Sequence, residues 1–338
     1  METTPKVSVI VPCYNEEKTI TLLLDALTRQ TYPKEDMEVI VADGLSDDGT
    51  LQKIEDYQAL RTGLNVRVVE NPLRIIPAAL NRAIAEAKGE FIVRLDAHSV
   101  PHPEYISRCV SGLEQYLGDN VGGIWKIVAS ENTWVAQSIA AAASHPLAVG
   151  DAKYRYADSA EEVDTVPFGS FRRDFLLKIG GYDESLLANE DYELNTRIRQ
   201  SGGKLWLDPH IQVQYYSRSN LRQLARQYWR YGYWKSIMLS RYPGSLRWRQ
   251  ALPPLFVLGL VVLAITSLWL PAARWLFLSV LAIYGMALVI SGLDIALQQK
   301  RFSQVFGVPL VIATMHFSWG SAFIFSTLKR LLAKGSVA

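Results

Sequence analysis

Phe91-Ile92-Val93-Arg94-Leu95-Asp96-Ala97-His98 (91–98) is an apolar run of strand character that ends in a carboxylate and an imidazole one residue apart. Where a strand of an open α/β sheet ends, its backbone stops pairing and faces the crevice in which ligands bind. In an extended i, i+2 pair both side chains leave on one face. Asp96 and His98 would then offer one oxygen and one nitrogen to a divalent cation, a mixture suited to Mn²⁺ or Mg²⁺ when a substrate phosphate supplies the remaining ligands. A solvated loop of small polar residues is the plain alternative for so short a triplet, and the surrounding chain has to decide.

Upstream, the β-branched run 7–11 ends in Pro12 and reads as a buried strand. A helix follows, with Asn15 or Glu16 serving its first turn and Ile20, Leu23, Leu24 and Leu27 at helical spacing. Residues 38–42 form a second strand ending in Asp43-Gly44 and a turn-rich Ser46-Asp47-Asp48-Gly49-Thr50, then a helix through Ile54 and Tyr57. A third strand, 66–70, leads through Asn71-Pro72 into a helix over 77–87 and then to the strand carrying Asp96. This alternation implies right-handed crossovers and an α/β fold with a mostly parallel sheet. Its carboxyl ends would bring Asn15, Glu16, Asp43, Asn71 and Asp96 to one crevice. Neither a G-x-G-x-x-G loop nor a G-x-x-x-x-G-K-[ST] loop is present, which argues against dehydrogenase and P-loop readings. Downstream, 121–128 reads as a strand, 134–144 as a helix, 163–168 as a strand and 175–179 as a short helix. Asn189-Glu190-Asp191 opens a helix with Leu194 and Ile198 facing the core, and 204–207 is the final strand.

Charge divides the 338 residues more sharply than length does. Residues 1–251 carry 61 charged side chains, whereas 252–328 carry only Arg274, Asp294, Lys300 and Arg301. Three apolar runs, 252–270, 275–297 and 305–328, have spanning length. The reading is a soluble domain 1–216, an interfacial segment 217–251, a membrane region of about three apolar helices over 252–328, and a tail 329–338. The first apolar run at the amino terminus is too short for a signal peptide, so the soluble domain is expected to remain on the cytosolic side of the membrane. Arg241, Arg247, Arg249, Lys300 and Arg301 agree with that orientation, while Lys329, Arg330 and Lys334 do not fit three full spans. Between 217 and 251 eight basic residues and no acidic one are interleaved with tyrosine and tryptophan. Beside a first span this describes contact with anionic membrane lipids rather than nucleic acid. Net charge of +2 gives no sign of a nucleic-acid partner. Cys13 and Cys109 have no Cys/His cluster nearby and read as structural.

The motif series 7–17 (Val-Ser-Val-Ile-Val-Pro-Cys-Tyr-Asn-Glu-Glu), Asp43-Gly44, Asp96-Ala97-His98, Phe168-Gly169-Ser170 with Gly180-Gly181-Tyr182-Asp183-Glu184, and Glu190-Asp191 resembles family 2 inverting glycosyltransferases with the GT-A fold. The order and spacing match over about 230 residues. Asn71-Pro72 with Arg74, Ala79-Leu80-Asn81, the D-x-H variant and three terminal spans look most like bacterial exopolysaccharide enzymes of the succinoglycan-glucosyltransferase type.

The resemblance implies transfer of a sugar from a nucleotide-diphosphate donor, UDP-linked in expectation, to a hydroxyl of a lipid-linked saccharide with inversion. Asp191, beside Glu190, matches the catalytic base; a helix cap is the alternative. Asp96 and His98 match the metal and diphosphate position. The usual motif ends in Asp, and trading it for a neutral imidazole weakens the site for Mg²⁺ and favours Mn²⁺. Asp43 matches the residue that contacts the base or ribose, and Pro12, Tyr14 and Glu16 match the pocket around the base. Arg74 and Asn81 are candidates for the diphosphate or ribose, and Gly169 and Ser170 for the acceptor. Gln227, Arg230 and Tyr231 resemble the Q-x-x-R-W element of processive synthases, with Tyr in the last place, and would reach a diphosphate; an interfacial helix explains them equally. His210, after Asp208-Pro209, reads as a loop residue that would otherwise complete the metal shell. His316 lies inside an apolar run, where an ionisable group invites a functional reading. Transfer directly onto polyprenyl phosphate is the alternative enzyme reading, and a nucleotide-binding membrane scaffold or transport component is the alternative of another class.

Overall fold

The computed structural model describes residues 5–335, and the chain forms two compact units. One comprises the described residues through Lys126 with Lys153–Tyr215; the other comprises Ile127–Ala152 with the chain from Tyr216 onward.

The first unit is built on strands β1 (Val7–Cys13), β2 (Met37–Asp43), β3 (Asn65–Glu70) and β4 (Phe91–Arg94), with helices α1 (Ile20–Thr28), α2 (Thr50–Ala59) and α3 (Ile76–Glu86) in the crossovers. Then follow β5 (Val100–Pro101), α4 (Tyr105–Glu114), β6 (Asn120–Val128), and, after the segment of the second unit, β7 (Glu161–Glu162), β8 (Ser170–Arg172), a helical turn over Arg173–Lys178, the helix Glu190–Gln200 and the long strand β9 (Leu205–Tyr216). β1 and β2 are buried on both faces, which is why they read as unbroken apolar runs. Leu23, Leu24 and Leu27 of α1 pack on Val9, Val11, Val39 and Val41 in the main core.

Nine strands form one sheet in the order β3-β2-β1-β4-β8-β6-β9-β5, with β7 on β9. The parallel order holds for β3-β2-β1-β4. From β4 the pairing turns antiparallel, β4 with β8 and β8 with β6, so the sheet is mixed rather than mostly parallel. Four local expectations are corrected. Residues 163–168 are irregular, because Phe168 and Gly169 take positive φ (60° and 86°) and the strand starts only at Ser170. Asn15 also has positive φ, and α1 starts after Thr19 instead of at residue 15 or 16. Asp96 begins a turn closed by Ser99 N–H donating to its carbonyl (2.9 Å), so Asp96 and His98 are not an extended pair. His210 lies in β9, not in a loop, with its backbone N–H on Asp208 Oδ1 (2.8 Å).

In the second unit, α5 (Trp134–Ala142) and α6 (Pro146–Val149) join the helices Leu221–Arg241, Trp248–Thr266, Pro271–Gln299 and Gln304–Gly335. Residues 127–152, placed by sequence within 1–216, belong here: Ile139 and Ala142 pack with Val308, Val311 and Ile312, and Ser138 Oγ donates to Gln304 Oε1 (2.7 Å). Among the described residues three helices are long and apolar enough to cross a membrane: Trp248–Thr266, Pro271–Gln299 and Gln304–Ala333. Large apolar side chains stay exposed along them, among them Leu255, Ile265, Trp275 and Ile283, a surface suited to hydrocarbon rather than water. His316 is accounted for structurally: one ring nitrogen meets Tyr284 Oη and the other the Leu147 carbonyl, both at 3.0 Å.

Candidate active site

The loop after β1 is stitched to the loop after β2. Asn15 and Asp47 exchange two hydrogen bonds (2.7 and 3.0 Å), Asn15 N–H donates to Ser46 Oγ (2.9 Å), and Glu16 N–H donates to Thr50 Oγ1 (2.8 Å). Asp43, buried at the end of β2, accepts from Ser46 through both oxygens (2.6 and 2.9 Å) and fixes this turn. Pro12 is buried in register with Ala42. Tyr14 presents an exposed ring with the Arg74 guanidinium 5.6 Å from its centroid, so these two donor-site candidates do meet.

Glu16, expected beside the base, meets His98 Nδ1 through its Oε1 at 2.9 Å, and Thr19 Oγ1 donates to its other oxygen. A carboxylate accepting at Nδ1 places the proton there and the lone pair on Nε2, the arrangement that orients a metal-binding imidazole. Asn81 is spent on the fold, because its amide donates to the Tyr182 carbonyl and Glu184 (both 2.9 Å) and accepts from Tyr182 N–H (2.8 Å). Ser170 is likewise structural; its buried hydroxyl donates to the Val121 carbonyl (2.6 Å). Gly169 is required by space, since a Cβ there would lie 2.4 Å from Asn120 Oδ1. Gln227, Arg230 and Tyr231 lie on the helix Leu221–Arg241 of the second unit, where Gln227 Nε2 donates to Tyr231 Oη (3.1 Å).

The centre of the site is a residue that sequence reading passed over. Arg94, only 2 % exposed at the end of β4, donates to three carboxylates. It reaches Asp191 through Nη1, Glu190 through Nη2 (3.2 Å), and Asp96 Oδ1 through Nε and Nη2 (3.3 and 3.2 Å). Phe168 and Tyr182 lie at 5.6 and 5.8 Å from the guanidinium. Burial alone would favour the neutral form of Arg94, but Asp191, Asp96 and Glu190 hold it cationic. One cation inside an otherwise apolar strand, two residues before Asp96, was the available signal.

Glu190 and Asp191 open the helix Glu190–Gln200, and Asn189 before them has positive φ (67°) with no side-chain cap. Asp191 therefore does not serve as the cap. Burial pushes its carboxyl up to about 7; Arg94 opposes the rise, while Glu190 and Asp96 add to it. A carboxyl so poised can take a proton from an incoming hydroxyl at neutral pH. Burial also raises both thiols, Cys109 to about 12, consistent with structural roles.

Among the described residues no group of three or more His, Cys, Asp or Glu side chains is placed to hold a metal ion. Asp96, 20 % exposed, and His98, 44 % exposed, offer a hard oxygen and an oriented nitrogen. That donor set suits an open site whose remaining ligands come from a substrate diphosphate. Three carboxylates against one guanidinium also leave room for further positive charge.

A mixed sheet, with Asp43 ending β2 and Asp96 just after β4, defines the GT-A class of glycosyltransferase folds. The chain belongs to glycosyl transferase family 2, whose model matches residues 8–180. It is 27 % identical over 92 % of its length, and 93 % of the relative's, to a dolichyl N-acetyl-α-D-glucosaminyl phosphate 3-β-D-2,3-diacetamido-2,3-dideoxy-β-D-glucuronosyltransferase of Methanococcus voltae. It is 29 % identical to the succinoglycan biosynthesis protein ExoA of Rhizobium meliloti, covering 93 % of each chain. Among solved structures, the mannosyltransferase PcManGT of Pyrobaculum calidifontis, in complex with GDP-Man and Mn²⁺, matches with a TM-score of 0.60 at 21 % identity, over 93 % of this chain and 87 % of that one. S. aureus TarS 1-349 with UDP-GlcNAc matches at 0.52 and 20 % identity over 91 % of both. These likenesses establish the fold.

Proposed function

We propose that this glycosyltransferase moves a sugar, with inversion, from a nucleoside-diphosphate donor (UDP-linked) to a hydroxyl of a polyprenyl-diphosphate-linked saccharide, as a step of bacterial exopolysaccharide assembly at the cytosolic face of the inner membrane. The observation that carries it is Asp191, raised in pKa and aimed by Arg94 beside Glu190 and Asp96. The acceptor hydroxyl gives its proton to Asp191 as its oxygen attacks the anomeric carbon opposite the leaving diphosphate, whose bond to that carbon breaks. Arg94 restricts the carboxylate's rotation, so the base is oriented before substrate arrives. Asp43 and the Tyr14–Arg74 pair line the donor side. A divalent cation, held by Asp96 and His98, would supply charge neutralisation for the diphosphate as a Lewis acid.

Two relatives support the acceptor class: one is named for transfer to a dolichyl phosphate-linked sugar and the other for succinoglycan biosynthesis. The basic, aromatic helix Leu221–Arg241 and the three apolar helices support a membrane setting. The test offers purified full-length protein a panel of nucleotide sugars with Mn²⁺ and two acceptors, a polyprenyl-diphosphate saccharide and polyprenyl phosphate. The expected product is the saccharide extended by one sugar; a product of polyprenyl phosphate alone would replace this acceptor assignment.

A further inference from the structure

We infer that only two of the three apolar helices, Trp248–Thr266 and Pro271–Gln299, cross the bilayer, and that Gln304–Gly335 lies with the basic helix Leu221–Arg241 in the headgroup layer, on anionic lipid. The chain before and after the crossing hairpin is then on one side of the membrane. This rests on the membrane setting proposed above, not on the transfer reaction.

The pairing of the two in-plane helices carries the inference. Leu224 packs with Val308, Val311 and Ile312, and a Cβ on Gly232 would meet the Trp319 carbonyl oxygen at 2.3 Å. Ser236 Oγ lies 2.8 Å from Thr327 Oγ1 and accepts from Arg330 Nη2 (2.6 Å). From Leu224 to Ser236 the helices therefore run side by side in the same direction for about 18 Å, and a depth taken by one is shared by the other. Leu221–Arg241 carries five basic residues and no acidic one. Arg222, Arg226 and Arg230, at i, i+4 and i+8, are all exposed. Were Gln304–Gly335 to span, Arg226 and Arg230, level with the stretch between Ile312 and Trp319, would sit near the middle of the hydrocarbon, where an exposed guanidinium is costly. In the headgroup layer the same stripe meets lipid phosphates. The exposed Trp229 and Phe325 rings, 5.9 Å apart, anchor it there.

Contacts with the crossing hairpin give the same depth. Gln304–Gly335 meets the hairpin near its basic end: Gly292 lies against the Val305 carbonyl, Tyr284 Oη meets His316 Nδ1 (3.0 Å), Phe317 lies beside Phe256 (6.0 Å), and Trp319 Nε1 donates to the Gln250 carbonyl (3.2 Å). Counted from Ala251, just past Arg249, Phe256 is about 8 Å deep, as far as an in-plane amphipathic helix sinks. Beyond Phe317 the contacts turn back, since Gly320 meets Pro253. Toward the tip Leu258, Val261, Val262, Ile265, Leu276 and Leu278 are exposed, a surface left to lipid. Two crossings also bring Lys329 and Arg330 to the side of Arg247, Lys300 and Arg301, in keeping with the charge bias of cytosolic loops.

The test places single cysteines in the full-length chain, whose own Cys13 and Cys109 are buried. Ser240→Cys, Leu270→Cys and Leu332→Cys, all at exposed positions, are treated with a membrane-impermeant maleimide in sealed, inverted inner-membrane vesicles and again after detergent. Ser240→Cys and Leu332→Cys should label together in sealed vesicles, and Leu270→Cys only once they are opened. Labelling of Leu332→Cys with Leu270→Cys instead would overturn the two-crossing arrangement. Depth is read separately, by a fluorophore quenched by lipids spin-labelled near the headgroup or near the chain end. Probes on Leu310→Cys, Phe317→Cys and Leu328→Cys should respond more to the headgroup label, and a probe on Val261→Cys more to the chain-end label. A Phe317→Cys probe quenched like the Val261→Cys probe would also overturn the proposal. Release of the wild type from membranes by a carbonate wash would remove the membrane setting itself.

Discussion

Replacing Asp191 by Asn tests the base and its environment together. Asn keeps the shape, can still accept from Arg94, and cannot take a proton. Loss of a general base costs on the order of 10² to 10⁴ in turnover, with donor binding retained because Asp43, Tyr14, Arg74 and Asp96 are untouched. The stability effect has the opposite sign. A carboxyl moved from an ordinary 3.8 to about 7 is less stable ionised in the folded protein than in the unfolded chain, by about 4 kcal/mol at most. The side chain is 23 % exposed, and water screening brings the measurable figure nearer about 1–3 kcal/mol. Because the folded value is raised, the stabilisation is fully present below pH 3.8 and is lost as pH rises through about 7. Asn resembles the protonated form throughout. The variant should therefore match the wild type near pH 4 and melt at higher temperature above pH 7, while being nearly inactive. Full-length protein in detergent, followed by circular dichroism across this pH range and by turnover at pH 8, gives both readouts. Undiminished turnover refutes the base; a melting difference that does not change with pH refutes the buried, raised carboxyl.

Wild-type turnover itself should rise with pH through about 7 as Asp191 ionises, and a rate that falls over that range would remove Asp191 from the role. Arg94→Met leaves three carboxylates around one vacated cation position and should cost about 3–5 kcal/mol; melting curves should show a larger loss at pH 8 than at pH 5, where Asp191 is protonated. His98→Ala should weaken Mn²⁺-supported donor binding, and Glu16→Gln, which removes only the orienting carboxylate, by about 10- to 100-fold; donor affinity equal to wild type in both variants would discard the metal assignment. Gly169→Ala introduces a side chain at φ 86° and 2.4 Å from Asn120 Oδ1, so a loss of about 1–3 kcal/mol is expected, and a melting temperature equal to wild type would contradict it.

The parallel half of the sheet was legible because its signals are local. A strand buried on both faces reads as a continuous apolar run, and α1 to α3 show their core faces within a few turns. The antiparallel half was not, since β8 has three residues and starts only after the positive-φ pair Phe168-Gly169. His210 looked like a loop residue because Asp208-Pro209 is a turn signal, yet the strand runs through it. Residues 127–152 gave no sign of their unit, because their partners Gln304, Val308 and Ile312 lie some 170 positions away.

By itself the sequence determined the family's motif order, the crevice at the strand ends and the three apolar helices, all properties of short windows or of composition. Tertiary structure alone decided which polar groups are spent on one another: it committed Asn81 and Ser170 to the fold, gave Glu16 to His98, and gathered Asp96, Glu190 and Asp191 around Arg94. Arg94 and Asp191 are 97 positions apart, and the strength of their pairing comes from a burial that only the assembled sheet and helix create.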